Sequence, residues 1–302
     1  MGVVITSVGT SYDRDSGSVV THAARAVRQA LTSAAVEPQE VGVLINTGVY
    51  RDSNTVEPAI AALIQKDAGI GLEYGERDPR TFSFDLMNGA CGVLNAVQVA
   101  DAILSTGSTG RVLVVSGDTH PSAVAAGAPD GFPYATSGAA LLLERSEGAE
   151  GFGSVHTELA DGPSVVDGFV ETKTMGANGR NLITVERDAD AEERLLDVAL
   201  AAASAAIDAS DPDLSSTVLI ASTPTPGFPA LLAAKLGITA LDAAALPALG
   251  GDTHTAALTV AYQHAVQEKL FGEYSTILFV AAGAGPSAAA TVYRLTAGAD
   301  AK

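Results

Sequence analysis

A single cysteine, Cys91, stands in the run Asn88-Gly89-Ala90-Cys91-Gly92-Val93-Leu94-Asn95-Ala96 of this 302-residue chain. The residues that follow it read as a helix, and at a helix start the unsatisfied N–H groups and the dipole stabilise an anion. A thiol placed there is expected to have a lowered pKa and to act as a nucleophile. Gly89, Ala90 and Gly92 leave room for a substrate and let a backbone N–H face a developing oxyanion. The alternative is that Cys91 is a small core residue packed beside Ala96 and Ala100. One cysteine allows no internal disulfide.

Histidine is the usual proton-transfer partner of a nucleophilic thiol, and the chain has five. His22 and His264 lie in amphipathic helices and read as packing or surface residues, and His156 falls in a strand-like run. His120 follows a strand in Ser116-Gly117-Asp118-Thr119-His120. His254 opens a helix in Gly250-Gly251-Asp252-Thr253-His254-Thr255-Ala256-Ala257. The last two are the candidates for the site. Asp252 reads as a helix cap that is also able to orient His254. Gly283-Ala284-Gly285 lacks the spacing of a dinucleotide fingerprint and reads as a tight turn whose backbone N–H completes an oxyanion pocket. No GxSxG, HExxH, P-loop or CxxC pattern occurs, so the motifs require no metal or cofactor.

These residues must be positioned by something, and the order of elements occurs twice. After a first strand at Val3–Val8, the first half predicts a helix over Val19–Ala35, a strand Val41–Ile45 and a helix Val56–Ala68. A strand Phe82–Asp85, a helix opening at Cys91, and strands Val112–Val115 and Ala139–Leu143 follow. The second half predicts helix Glu192–Ala209, strand Val218–Ala221, helix Pro229–Leu236 and strand Ala244–Leu249. Helix Thr255–Leu270 and strands Ile277–Ala281 and Ala289–Leu295 complete it. Helical periodicity alternating with short apolar runs is the signature of layered α/β structure. If a pseudo-two-fold axis relates the halves, the helix starts at Cys91 and His254 face each other. The expected division is 1–147, a Gly- and Pro-rich connecting or lid region at 148–188, and 189–302.

The composition is 47% hydrophobic but 5% aromatic, with no Trp, so Ala, Val, Leu and Ile must fill the core at close approach. No apolar run approaches the ~20 residues that span a bilayer, and a strand at the N-terminus is not a secretory leader. A formal charge of −18 argues against nucleic acid or an anionic membrane as a partner. A soluble, cytoplasmic protein is expected.

These segments resemble the β-ketoacyl-ACP synthase III group of the thiolase superfamily. Phe84 to Gly92 is similar to that family's nucleophile segment, and Tyr134-Ala135-Thr136-Ser137-Gly138-Ala139-Ala140 to its following glycine-rich strand. Gly250 to Ala257 resembles the Asn-containing turn, and Gly283 to Gly285 the glycine turn. The resemblance implies a thiolase-like fold of duplicated α/β halves in αβαβα layers, and an acyltransferase of fatty acid or polyketide biosynthesis that is acylated on Cys91. It implies acyl-CoA or acyl carrier protein thioesters as partners, and a homodimer or a heterodimer with a related chain. In that family His and Asn support decarboxylation of a malonyl-type extender. Here Ser222, in Ile220-Ala221-Ser222-Thr223-Pro224, stands at the His position and Asp252 at the Asn position. An ionised Asp cannot stabilise an enolate, so acylation of Cys91 is the firmer expectation and condensation is left open. A degenerate, non-condensing subunit that supports an active partner is the alternative.

Overall fold

The structure, a computed structural model, describes residues 2–13, 15–52, 58–71, 81–120, 132–176, 183–241, 251–283 and 285–296. The first half runs β1 (Val3–Ser11), α1 (Val19–Ala34), β2 (Val43–Asn46), α2 (Ile60–Ala68), β3 (Phe82–Asp85), α3 (Gly92–Ser105), β4 (Arg111–Asp118) and β5 (Ser137–Arg145). Next come β6 (Gly151–Phe152), β7 (His156–Leu159), β8 (Val166–Val170) and β9 (Ile183–Arg187). The second half continues with α4 (Ala191–Ser210), β10 (Thr217–Ala221), α5 (Phe228–Leu236), β11 (Thr239–Ala240), α6 (Ala257–Gln267), β12 (Thr276–Gly283) and β13 (Ser287–Arg294).

The repetition expected from the sequence is visible in the strand order. In the first half β3, β2 and β4 are parallel, β5 is antiparallel to β4, and β1 is antiparallel to β5. In the second, β11, β10 and β12 are parallel, β13 is antiparallel to β12, and β7 is antiparallel to β13. The short β6 bridges β13 and β1 and joins the two into one continuous sheet.

Local chemistry sets the helix ends. Ser18 accepts the Thr21 N–H to cap α1, Ala35 closes it in the left-handed conformation, and Glu192 and Glu193 sit in the positive first turn of α4. Each half buries one sheet face under two helices. Leu44, Leu113, Val115 and Leu142 pack on Ala24, Val27, Ile60 and Ile64, and Leu219, Leu278 and Val280 pack on Leu195, Ala199, Phe228 and Leu232. The third helix of each half lies between the sheets. Val93, Ala96 and Val97 face Ile45, Val112 and Val114, whereas Leu94 with Leu258 and Tyr262 faces Ile220, Ile277 and Phe279. Helix, sheet, helix, sheet and helix thus make five layers, with α3 and α6 in the middle.

Small residues make this spacing possible. A Cβ on Gly9 would overlap the Ala26 carbonyl oxygen of α1, and one on Gly138 the backbone of His22 and Ala23. Gly9→Ala must therefore push α1 off β1, an overpacking cost of about 1–3 kcal/mol. Urea denaturation is expected to show that loss, and an unchanged midpoint would refute the close approach.

Several expectations are corrected. The 148–188 connecting region carries four strands that the sequence did not announce, β6 to β9, including the β8–β9 hairpin. These strands are short and partly exposed, so apolar alternation is too weak to announce them. α2 starts at Ile60 rather than Val56, and α6 ends at Gln267 rather than Leu270. The strand expected over Ala244–Leu249 lies outside the described residues, as do Ala284, Gly250 and most of the Thr119–Pro133 segment. His22 is buried and bonded on both ring nitrogens, Nδ1 to Ser11 Oγ at 2.9 Å and Nε2 to the Ser16 carbonyl at 3.0 Å, a packing role as read.

Candidate active site

The chain enters α3 through a 3₁₀ turn at Gly89–Cys91 and enters α6 through a 3₁₀ turn at His254–Ala256. The two turns are equivalents in the repeat, and each opens on a residue with positive φ, +50° at Gly89 and +45° at His254. Glycine takes that conformation without strain, whereas a histidine held in it costs on the order of 1–2 kcal/mol. Such strain concentrates at functional sites. The turns also face each other, as the pseudo-symmetry required: a Cβ on Gly89 would stand 3.5 Å from His254 Nε2.

His254 is held from behind by a residue that sequence reasoning passed over. Asp118, at the end of β4 and fully buried, accepts His254 Nδ1–H at 3.1 Å. The same oxygen accepts the Thr255 N–H at 3.2 Å and its hydroxyl at 2.6 Å, while Oδ1 accepts the N–H groups of Val49 and Tyr50 at 3.0 and 2.8 Å. Burial opposes both charges, but the ion pair prevails. His254 is raised above the ordinary imidazole value by the Asp118 charge and hydrogen bond, and Asp118 is lowered by His254 and its N–H and O–H donors. Tyr134 stacks on the imidazole at 4.2 Å and 21°, and Tyr50 stacks on Tyr134. An aromatic face suits an imidazolium.

Cys91 departs from expectation. It is only 2% exposed, and burial pushes its thiol up to about 11 rather than down. Its sulfur lies 3.6 Å from the Ala281 carbonyl and 3.8 Å from that of Ser287, both acceptors that favour S–H. The Cys91 N–H is itself committed to Asn88 O at 3.1 Å, and the Gly92 N–H to Gly89 O, so the lead-in turn consumes donors the dipole argument had assigned to an anion. Ser287 Oγ, at 3.9 Å, is the nearby hydroxyl able to serve a thiolate. Iodoacetamide alkylation of the folded protein should therefore still accelerate past the free-thiol midpoint of about 8.5. Because the folded value is the higher one, the thiol's contribution to stability is complete below that midpoint and is lost as pH rises through about 11. A rate that has levelled off by the free-thiol midpoint would contradict the burial.

The remaining candidates separate. A Cβ on Gly283 would stand 3.8 Å from both Cys91 Sγ and the Ala90 nitrogen, so the β12–β13 hairpin presses its glycine end on the Cys91 turn. Gly285 precedes a cis peptide bond to Pro286 in the same hairpin. Asp252 accepts the His254 N–H at 2.8 Å and the Thr223 hydroxyl at 3.1 Å through Oδ1, from the position before Thr253, which is the N-cap in place of Asp252. Its carboxyl is pushed up by burial, against the nearby charges of His254 and Arg187. Ser222 Oγ is absorbed by β12, accepting the Ala282 N–H at 2.9 Å and donating to its carbonyl at 3.4 Å. His120 lies beyond the aromatic cluster, edge-on to Phe132 at 4.7 Å, and burial lowers its pKa. Among the described residues no hydrogen bond joins the Cys91 sulfur to an imidazole. No group of three or more His, Cys, Asp or Glu side chains among those residues could hold a metal ion.

A β-ketoacyl-[acyl-carrier-protein] synthase III of Cereibacter sphaeroides is 32% identical over 133 residues, which are 42% of this chain and 36% of that protein. An acyl-CoA:acyl-CoA alkyltransferase of Xanthomonas campestris pv. campestris is 31% identical over 97 residues, 32% of this chain and 26% of that one. The 3-oxoacyl-(acyl carrier protein) synthase III of Pseudomonas aeruginosa superposes over 97% of this chain and 98% of its own, with a TM-score of 0.78 at 15% identity. The chain is similar in sequence to β-ketoacyl-ACP synthase III proteins over part of their length, and shares the fold of a solved one. No protein-family model matches the chain. Its fold extends to a tetronic acid condensing enzyme, with a TM-score of 0.75 at 17% identity over 97% of this chain and 100% of that one. The likeness in sequence covers between 26% and 36% of the curated relatives' length, and the likeness in structure speaks for the layered α/β fold.

Proposed function

We propose that the chain is a thioester-dependent acyltransferase whose Cys91 carries the acyl group. The observation that carries this reading is the meeting of three elements: the turn that opens α3 and holds Cys91, the Gly283 hairpin against its sulfur, and the His254 turn against Gly89. Cys91 S–H adds to the thioester carbon, the bond to the departing thiol breaks, and the thiol proton ends on that leaving group. The Asp118 ion pair favours the protonated imidazole, and in this reading His254 serves as a donor to the developing oxyanion or leaving sulfur. The N–H groups of Gly283 to Gly285 are the further oxyanion donors, and His120 and Ser222 are left without a direct step.

The thioester is an acyl-CoA or an acyl carrier protein conjugate, as for the relatives named synthase III and acyl-CoA:acyl-CoA alkyltransferase, and the setting is cytoplasmic fatty acid or polyketide synthesis. In this reading 1–147 and 189–302 each supply one wall, and 148–188 covers the site, with Gly168 of β8 against the Tyr50 hydroxyl. A homodimer forms along β3, the last strand of the sheet, where Phe82 is 64% and nearby Met87 53% exposed. Mixing the protein with acyl thioesters should release a burst of one free thiol per chain. A panel without a burst would refute acylation. The second reading, a non-catalytic subunit beside an active partner, is favoured by Ser222, whose hydroxyl is spent on the Ala282 backbone. Recovery of a homodimer with the burst excludes it.

A further inference from the structure

We propose that the acceptor of the acyl group is a hydroxyl compound and that Asp252 is the base that deprotonates it; the inference rests on the Cys91 acylation proposed above. Asp252 sits on the same turn as His254, whose Nε2 faces the nucleophile turn at Gly89. The His254 N–H and Thr223 hydroxyl fix Oδ1, and among the described residues no hydrogen bond occupies Oδ2. The residue as a whole is partly exposed. Burial raises its basicity above that of a free carboxylate. The groups that face it are His254 on its own turn, Thr223 after β10, Arg187 from β9 and Tyr134 before β5, with Asp118 behind the imidazole.

Competing acceptors meet the wrong charges. A malonyl-type acceptor would develop an enolate beside an ionised carboxylate, with Ser222 locked to the Ala282 backbone and unable to assist. An amine arrives as an ammonium ion against the positive His254 and Arg187, whose charge reaches both His254 and Asp252. A hydroxyl arrives neutral and needs one base. Its oxygen bonds to the acyl carbon, its proton passes to Asp252, and the carbon–sulfur bond breaks with the electron pair on Cys91. The proton then moves from Asp252 to the sulfur, so an ester leaves and both residues return to their starting states.

The test separates loading from transfer. Protein acetylated by an acetyl thioester, freed of excess reagent and verified by intact mass, is chased separately with glycerol, benzyl alcohol, glucose, butylamine and malonyl thioester. At least one alcohol is expected to discharge the adduct as its acetyl ester, faster as pH rises through the ionisation of Asp252. Asp252→Asn keeps an oxygen for both hydrogen bonds and should slow that discharge roughly 10²–10⁴-fold. Asp252→Glu should recover part of it. An adduct indifferent to every alcohol, one discharged preferentially by malonyl thioester or butylamine, or an Asp252→Asn protein that discharges normally, overturns the proposal. Failure to load at all refutes the Cys91 reading instead.

Discussion

Cys91→Ala is expected to abolish acyl transfer, a loss on the order of 10⁴-fold or more, while leaving the protein folded. No second thiol exists to substitute, because Cys91 is the sole cysteine. The neighbouring Ser287 hydroxyl stands 3.9 Å from the sulfur and has no general base in the geometry described, so it cannot inherit the role. Alanine keeps the Cβ and occupies the same small-residue interior as Ala90, Leu94 and Ala281. The lost sulfur leaves a modest void, about 1 kcal/mol. Circular dichroism and the thermal midpoint should therefore resemble wild type as activity disappears. Residual turnover within tenfold of wild type would place the nucleophile elsewhere.

Asp118→Asn is expected to be the most destabilising single change at the site. Asn retains one acceptor oxygen for the Val49 and Tyr50 N–H groups, but it turns an NH₂ toward the Thr255 N–H and His254 Nδ1. Breaking a buried pair in this way costs about 3–5 kcal/mol. For a chain of this size that lowers the midpoint by on the order of 10 °C. The pH dependence has a defined sign. The raised His254 contributes stability that is complete below its unfolded value of about 6.5 and is lost as pH rises through its folded value. The lowered Asp118 contributes above about 3.9 and loses its share as pH falls through its folded value. The difference between wild type and Asp118→Asn should be widest between those limits and shrink in alkali. A difference independent of pH would show that the carboxylate is structural filler and not the partner of an imidazolium.

Much of the scaffold was legible because it depends on local pattern. β3 has the expected bounds of Phe82–Asp85, α1 and α4 end within two residues of expectation, and the repeated order is the strand order of the two half-sheets. The facing of Cys91 and His254 followed from that repeat alone. What escaped the sequence depends on contacts between distant residues. Asp118 lay inside the segment singled out for His120, yet its partner His254 is 136 positions away. The thiol shift had the wrong sign because helix position was weighed without burial, and carbonyls of β12 and β13 surround the sulfur. The left-handed conformation of His254 is likewise unannounced, since a glycine signals such a position in the first turn and a histidine hides it in the second.

Peptide mapping after brief incubation with an acetyl thioester tests the central claim most directly. Acylation predicts one acetyl group per chain, recovered on the peptide that contains Cys91 and absent from Cys91→Ala. An unmodified Cys91 peptide, or an acetyl group on any other residue, would contradict it.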